Sequence, residues 1–386
     1  MRAGSAARAA ARPHPMPAPI AFLLENLERD LVANDLAGVI ASLDPESFAP
    51  RILFLEADRG ALPRAVRDAI PARIPIKGPL RRPFWNVGLI RRFLLAVGDT
   101  KPAVLFVSGG RDVLAFAPRV IGWLEKPAVY LAPSGDPAFP WDQRKSLDAF
   151  GRIVATTGRL TLRLVDELSI AEKTVATIYP GIDVDRFDFR PLDFRALAES
   201  EAPLVGVVGS PPAATTAALH AALASTPGSP RLAAPGAREP LIDLGDAWSP
   251  EALARVAMLL LLPDSDWETG FDTLLRGMAV GRAAIAAVPS ARIDDLIQNG
   301  ETGLLLVTDD PRAVSNAVAG LLSKPELLAS MGAAGRMRVA GEFERGRWLA
   351  EYEALIRISG GIPFPAPKPR GPEPSPGASP IKFGPS

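Results

Sequence analysis

The chain has no cysteine, and only two histidines, His14 and His220, in 386 residues. Disulfides, thiolate nucleophiles and cysteine-based zinc sites are therefore excluded, and two histidines cannot build a histidine metal cluster. A cysteine-free chain fits a reducing compartment, and the cytoplasm is the expected location. An excess of charge of either sign is also missing. With 43 basic and 43 acidic residues the formal net charge is +0, which leaves no global field to attract nucleic acid. No stretch approaches the roughly 18 consecutive apolar residues that a membrane-spanning helix needs.

The ends lack the composition of a core. Residues 1–18 set Arg2, Arg8 and Arg12 among alanines and prolines with no acidic residue. They have the basic character of a targeting peptide without its apolar segment, and are read as a disordered N-terminus with Met16 as an alternative start. Residues 360–386, with Pro363, Pro365, Pro367, Pro369, Pro372, Pro374, Pro376 and Pro380, are read as a disordered proline-rich tail.

What lies between has an ordinary globular composition, 48% hydrophobic, and its length suits two domains. Apolar runs alternate with helical spacing. Ile20–Leu24, Arg51–Leu55, Ala103–Val107, Ala128–Leu131 and Arg152–Thr156 read as strands, with helices through Leu36–Leu43, around Leu89–Leu94 and through Val113–Trp123. A second alternation starts at Leu204–Val208 and continues through Arg231–Ala233, the run at Met258, Ala283–Ala287 and Gly303–Val307. Helices at Pro311–Leu322, Pro325–Ala340 and Arg347–Ile358 follow. Strands alternating with helices predict two doubly wound parallel sheets. Residues 19–180 form the first domain, 181–202 the connection, 203–342 the second domain and 343–359 a last amphipathic helix.

The stretch with the most information is Trp267–Gly281. It follows the buried-strand pattern Val256–Pro263, carries Phe271, Leu274, Leu275 and Met278 at helical spacing, and stops at Gly281. A helix entered from a buried parallel strand directs its free amides and positive dipole end at the crevice above the sheet. An anion or a sugar hydroxyl fits that place.

Three segments in order resemble the retaining glycosyltransferases of group 1 (GT4), which have the GT-B fold. Glu268, Gly270-Phe271, Met278-Ala279 and Gly281 match that family's E-G-F-G…E-A-M-A-x-G pattern. Asp295-Leu296-Ile297, Gly300 and Gly303 resemble its E-x-I-x-x-G-x-x-G. Ile178-Tyr179-Pro180-Gly181-Ile182-Asp183, with Phe187, resembles its I-x-N-G-I-D-x-x-x-F. The resemblance is clear over residues 152–338.

It implies an α/β protein with two Rossmann-like domains facing a cleft, a nucleotide-sugar donor held mainly by the second domain, and no bound metal or other cofactor. The final helix would pack back on the first domain. Glu268 would orient the donor sugar, and Gly270, Phe271, Asp272 and Thr273 would offer amides to sugar and phosphate. Gly209 and Ser210 follow the first strand of the second domain and belong to the same donor site.

Departures from the pattern cluster at the places that carry charge. Arg276 stands where the family's second glutamate holds the ribose, and a guanidinium has donors but no acceptor. It is either a solvated helix-face arginine or a phosphate ligand. No basic residue lies between Leu204 and Arg231, where the family keeps an arginine and a lysine for the leaving diphosphate. Loss of one preorganised donor of that kind costs ~2.7–4 kcal/mol in a transition state. Arg238, Arg276, Arg282 and Arg292 are the candidate replacements.

In the first domain Leu24-Glu25-Asn26-Leu27 replaces a glycine turn. Ser134 and Asp136 stand where a histidine is frequent and are the acceptor-side candidates, against the reading of Ser-Gly-Asp-Pro as a plain turn. Gly109-Gly110 either receives an acceptor anion or forms a strand-to-helix turn capped by Asp112.

Two functions follow. One is metal-independent transfer of a sugar, with retention, to an unknown acceptor. The other is a catalytically silent relative that serves as a binding or scaffolding partner of another protein.

Overall fold

The computed structural model describes residues 16–26, 36–56, 91, 95, 97, 98, 101–132, 144–193, 202–209, 211–245, 247–262, 267–287, 293, 295–308 and 310–365. In the first half, β1 (Ala18–Asn26), α1 (Leu36–Ser42), β2 (Phe48–Glu56), β3 (Val104–Ser108), α2 (Arg111–Leu124), β4 (Ala128–Leu131), α3 (Arg144–Leu147), β5 (Arg152–Ala155), α4 (Gly158–Leu162) and β6 (Val175–Thr177) follow one another. The second half holds β7 (Leu204–Val208), α5 (Ala213–Leu223), β8 (Arg231–Ala234), β9 (Ile242–Asp243), α6 (Pro250–Arg255), β10 (Met258–Leu261), α7 (Trp267–Val280), β11 (Ala283–Ala286), β12 (Gly303–Leu305), α8 (Pro311–Leu322), α9 (Pro325–Glu342) and α10 (Arg345–Gly360). Most of the helix expected around Leu89–Leu94 lies outside the described residues.

The strands form two parallel six-stranded sheets, β2-β1-β3-β4-β5-β6 and β12-β11-β10-β7-β8-β9. Their central strands are buried at every position, which explains why they read as unbroken apolar runs without alternation. Alternate side chains still go to different layers. Ala21, Leu23, Leu105, Val107 and Tyr130 meet α2 on one face of the first sheet. Ile20, Phe22, Phe106 and Val129 meet α1 and α10 on the other. Register places Phe22 beside Phe106, with ring centroids 5.2 Å apart. In the second sheet, α6 and α7 cover one face, and α5, α8 and α9 the other.

Several short elements escaped the sequence reading, α4 among them. Strand β9 has two residues, too few for any periodic signal, and α6 is a six-residue helix started by Ser249, whose hydroxyl accepts from Ala252 N–H.

Helix α10 is the last among the described residues but packs Trp348, Tyr352 and Ile356 into the first sheet's core. The connector is pinned beneath it. Ile182 N–H donates to Phe343 O at 2.8 Å, and Arg345 N–H donates to Ile182 O at 2.9 Å. Arg336 on α9 donates to Val184 O, Phe187 O and Ala279 O, tying the connector to the end of α7. Gly181 permits the close approach, because a Cβ there would lie 2.7 Å from Trp348 Cβ and 3.0 Å from Arg345 Cα. Gly181→Ala is expected to lift the start of α10 and destabilise the fold by about 1–3 kcal/mol. Hydrogen exchange should speed up in α10 ahead of the second sheet. Unchanged protection there would contradict the packing argument.

Candidate functional site

In the second sheet β7 and β10 are neighbours, yet the chain leaves them in opposite directions, to β8 and to β11. The crevice outside their C-terminal ends is the topological switch point, the usual ligand position of such sheets. Two glycines line it. Gly209 ends β7 with φ +79°, a left-handed conformation natural to glycine. A Cβ on Gly270, in the first turn of α7, would lie 3.7 Å from Gly209 Cα and 2.8 Å from Leu261 Cδ1. The two backbones thus lie close together, with the Leu261 side chain packed against Gly270.

Helix α7 begins here for reasons visible in its sequence. Phe271, Leu274, Leu275 and Met278 are buried against the sheet, and Gly281 ends the helix at φ +95°. With the helix starting at Trp267, Asp272 and Thr273 lie beyond its first turn, where i→i−4 bonding uses their amides. The amides left for a ligand are those of the first turn, up to about Gly270. Helix α5 also starts at this edge, and its N-cap, Pro212, offers no side-chain acceptor. Two helix ends, each worth roughly half a positive charge, therefore flank the crevice.

The individual side chains divide sharply. Phe271 is buried, its ring 6.4 Å from that of Phe343, and Thr273 is buried too. Both support the helix from below. Asp272 and Arg276 face outward and form an ion pair of 2.6 Å, with the guanidinium 6.0 Å from the Phe187 ring. Burial of its inner side pushes the Asp272 carboxyl up, and Arg276 pulls it down by less. Glu268 lies in the first turn of α7, but its side chain is outside the described residues, as are Ser210, Ser134 and Asp136.

Of the other candidate cations, Arg238 is exposed in the turn after β8 and Arg292 is outside the described residues. Arg282 is not available to the crevice. It precedes β11, at the opposite edge of the sheet, and is 3% exposed. Its guanidinium donates to Leu253 O at 3.1 Å, Ala254 O at 3.1 Å and Arg190 O at 2.8 Å. Burial pulls it down to about 10, still protonated at neutral pH.

The first sheet has its own switch point, between β1 and β3. Gly109 and Gly110 follow β3, and Tyr130, fully buried, donates its hydroxyl to Gly109 O at 2.7 Å. The cap of α2 differs from the expected Asp112. Gly110 is the N-cap residue, and its N–H donates to the carboxylate of Glu25 at the end of β1. A contact across 85 residues leaves no local signature.

The two halves meet beside the connector. Gly158 N–H at the start of α4 donates to Asp295 Oδ2 at 2.7 Å. Arg338 donates to the Asp295 and Leu296 carbonyls and lies over the Phe343 ring. Burial, with the negative charge of Asp295 as a second cause, raises the nearby Tyr179 hydroxyl above its usual range.

No protein-family profile matches the chain. D-inositol 3-phosphate glycosyltransferase 2 from Catenulispora acidiphila is 30% identical over 225 residues, 48% of this chain and 51% of that protein. The chain thus matches about half the length of this curated relative. Among solved structures, Anabaena Alr3699/HepE in complex with UDP and glucose superposes with a TM-score of 0.66 at 13% identity, over 87% of this chain and 98% of that one. A glycosyltransferase from Rickettsia africae gives 0.67 at 13% identity, over 88% and 98%. The paired six-stranded parallel sheets and the superposition of 87–88% of the chain on these structures make this a GT-B fold.

Proposed function

We propose that this protein is a group 1 glycosyltransferase that moves a sugar from a nucleotide donor to an acceptor with retention, in the cytoplasm and without a catalytic metal. The observation that carries the proposal is the close backbone approach of Gly209 and Gly270 at the second sheet's switch point, between two helix N-termini. A diphosphate needs backbone approach and positive potential, and both are available there. Glu268, in the same first turn, would orient the donor sugar. The Anabaena neighbour's complex makes UDP the first nucleotide to test. Among the described residues no helix is long and apolar enough to cross a membrane.

In this reading Arg276 leaves Asp272 for a donor phosphate. Calorimetric titration with UDP, GDP, ADP and the corresponding nucleotide sugars should show saturable binding of one base. Gly270→Val, which fills the gap at Gly209, should weaken it at least tenfold, about 1.4 kcal/mol or more. Arg276→Ala should also weaken it, whereas Asp272→Asn, which frees the guanidinium, should strengthen it. Silence toward every nucleotide from a folded sample would replace this reading with that of a scaffolding partner.

A further inference from the structure

At the first sheet's switch point the ligand position already holds an anion, and that anion belongs to the chain. Glu25 extends from the end of β1 and accepts the N–H of Gly110, the N-cap of the 14-residue helix α2. Gly110 has no side chain to cap the helix itself, so the carboxylate meets the positive end of the dipole directly.

The surroundings are shaped to this contact. Gly109 has φ +139°, and a Cβ on it would lie 2.5 Å from Glu25 Cβ and 2.8 Å from Glu25 Oε2. A Cβ on Gly110 would lie 3.4 Å from the same oxygen. Glycine is required at 109, by its φ and by Glu25 lying against it, while a Cβ at 110 would make only an ordinary contact; the buried Tyr130 hydroxyl holds the turn from the other side. The two strands that carry these groups run side by side, with Leu24 paired to Ser108, so Glu25 and Gly109 are next in register.

We propose that Glu25 acts as a built-in anion at this switch point, closing it to phosphorylated or carboxylated acceptors and leaving it to neutral, hydroxyl-bearing ones. A second anion there would have to displace Glu25 from the Gly110 N–H, or sit beside it against like-charge repulsion. A neutral polyol or sugar meets neither obstacle. The consequence for an acceptor rests on the glycosyltransferase reading; the exclusion of anions does not.

The test uses the full-length chain, isotopically labelled, with inorganic phosphate as probe at constant ionic strength and the Gly110 amide resonance as reporter. The wild type should show no saturable shift. Glu25→Ala should bind phosphate at least tenfold more tightly than the wild type, with the Gly110 amide among the shifted signals. Glu25→Gln should fall between them, because its amide oxygen still accepts the Gly110 N–H without carrying charge. Wild-type binding equal to that of the variants would overturn the proposal, as would folded variants with no gain. If Glu25→Ala fails to fold, gain or no gain in Glu25→Gln decides. A chain that ignores all nucleotides but gains phosphate in these variants would lose its proposed activity and keep this property.

Discussion

Arg282→Ala is expected to destabilise the protein by roughly 3–5 kcal/mol, because three carbonyls lose a charged donor, each such bond being worth about 1.5–3 kcal/mol before water recovers part of the loss. The guanidinium is buried and joins two parts of the second domain to the connector: the end of α6 through Leu253 and Ala254, the start of β11 on which it stands, and the connector through Arg190. Alanine leaves three carbonyls facing a cavity, each with a desolvation cost of about 1–3 kcal/mol when unpaired, relieved in part by entering water. Arg282→Lys keeps the charge but not the planar fork, and should recover only part of the loss. Denaturant unfolding followed by tryptophan fluorescence would measure both. A loss below about 1 kcal/mol for alanine would show that the network is dispensable.

Gly332→Ala should also be costly, by a steric route. A Cβ at Gly332 on α9 would fall inside the van der Waals shell of the Gly281 carbonyl oxygen and close to Ala283 N. The obstacle is backbone, which cannot rotate away as a side-chain tip can. Helix α9 must therefore shift as a unit, and its partners move with it: Met331 and Leu328 under the second sheet, and Arg336, which holds the connector. A cost of about 3 kcal/mol, the upper end for overpacking, is expected, with a matching fall in the thermal midpoint. Gly320→Ala is the internal control. It lies on α8 with open space around its Cβ position and should be neutral to slightly stabilising.

These residues show how much of the molecule could be read before folding. The central strands of both sheets and helix α7 were legible because burial on both faces leaves long apolar runs and an i, i+3, i+4, i+7 pattern. The glycines at 181 and 270 stood out through their motif neighbours, and Gly209 by following the strand Leu204–Val208. The roles of Arg282 and Glu25 did not, because each depends on partners 28 to 92 residues away. Arg282 looked equivalent to Arg276 as a candidate cation. The fold sends one to the far edge of the sheet and leaves the other beside Asp272 on an exposed helix face.

The sequence by itself determined the alternation of strands and helices and the two-sheet architecture, since these follow from local periodicity, whereas the strand order that places the switch point is set by the fold. Tertiary structure alone decided which charges are available there. Whether a guanidinium or carboxylate meets a ligand, a helix end or a buried carbonyl depends on which distant backbone groups the fold brings within hydrogen-bonding reach.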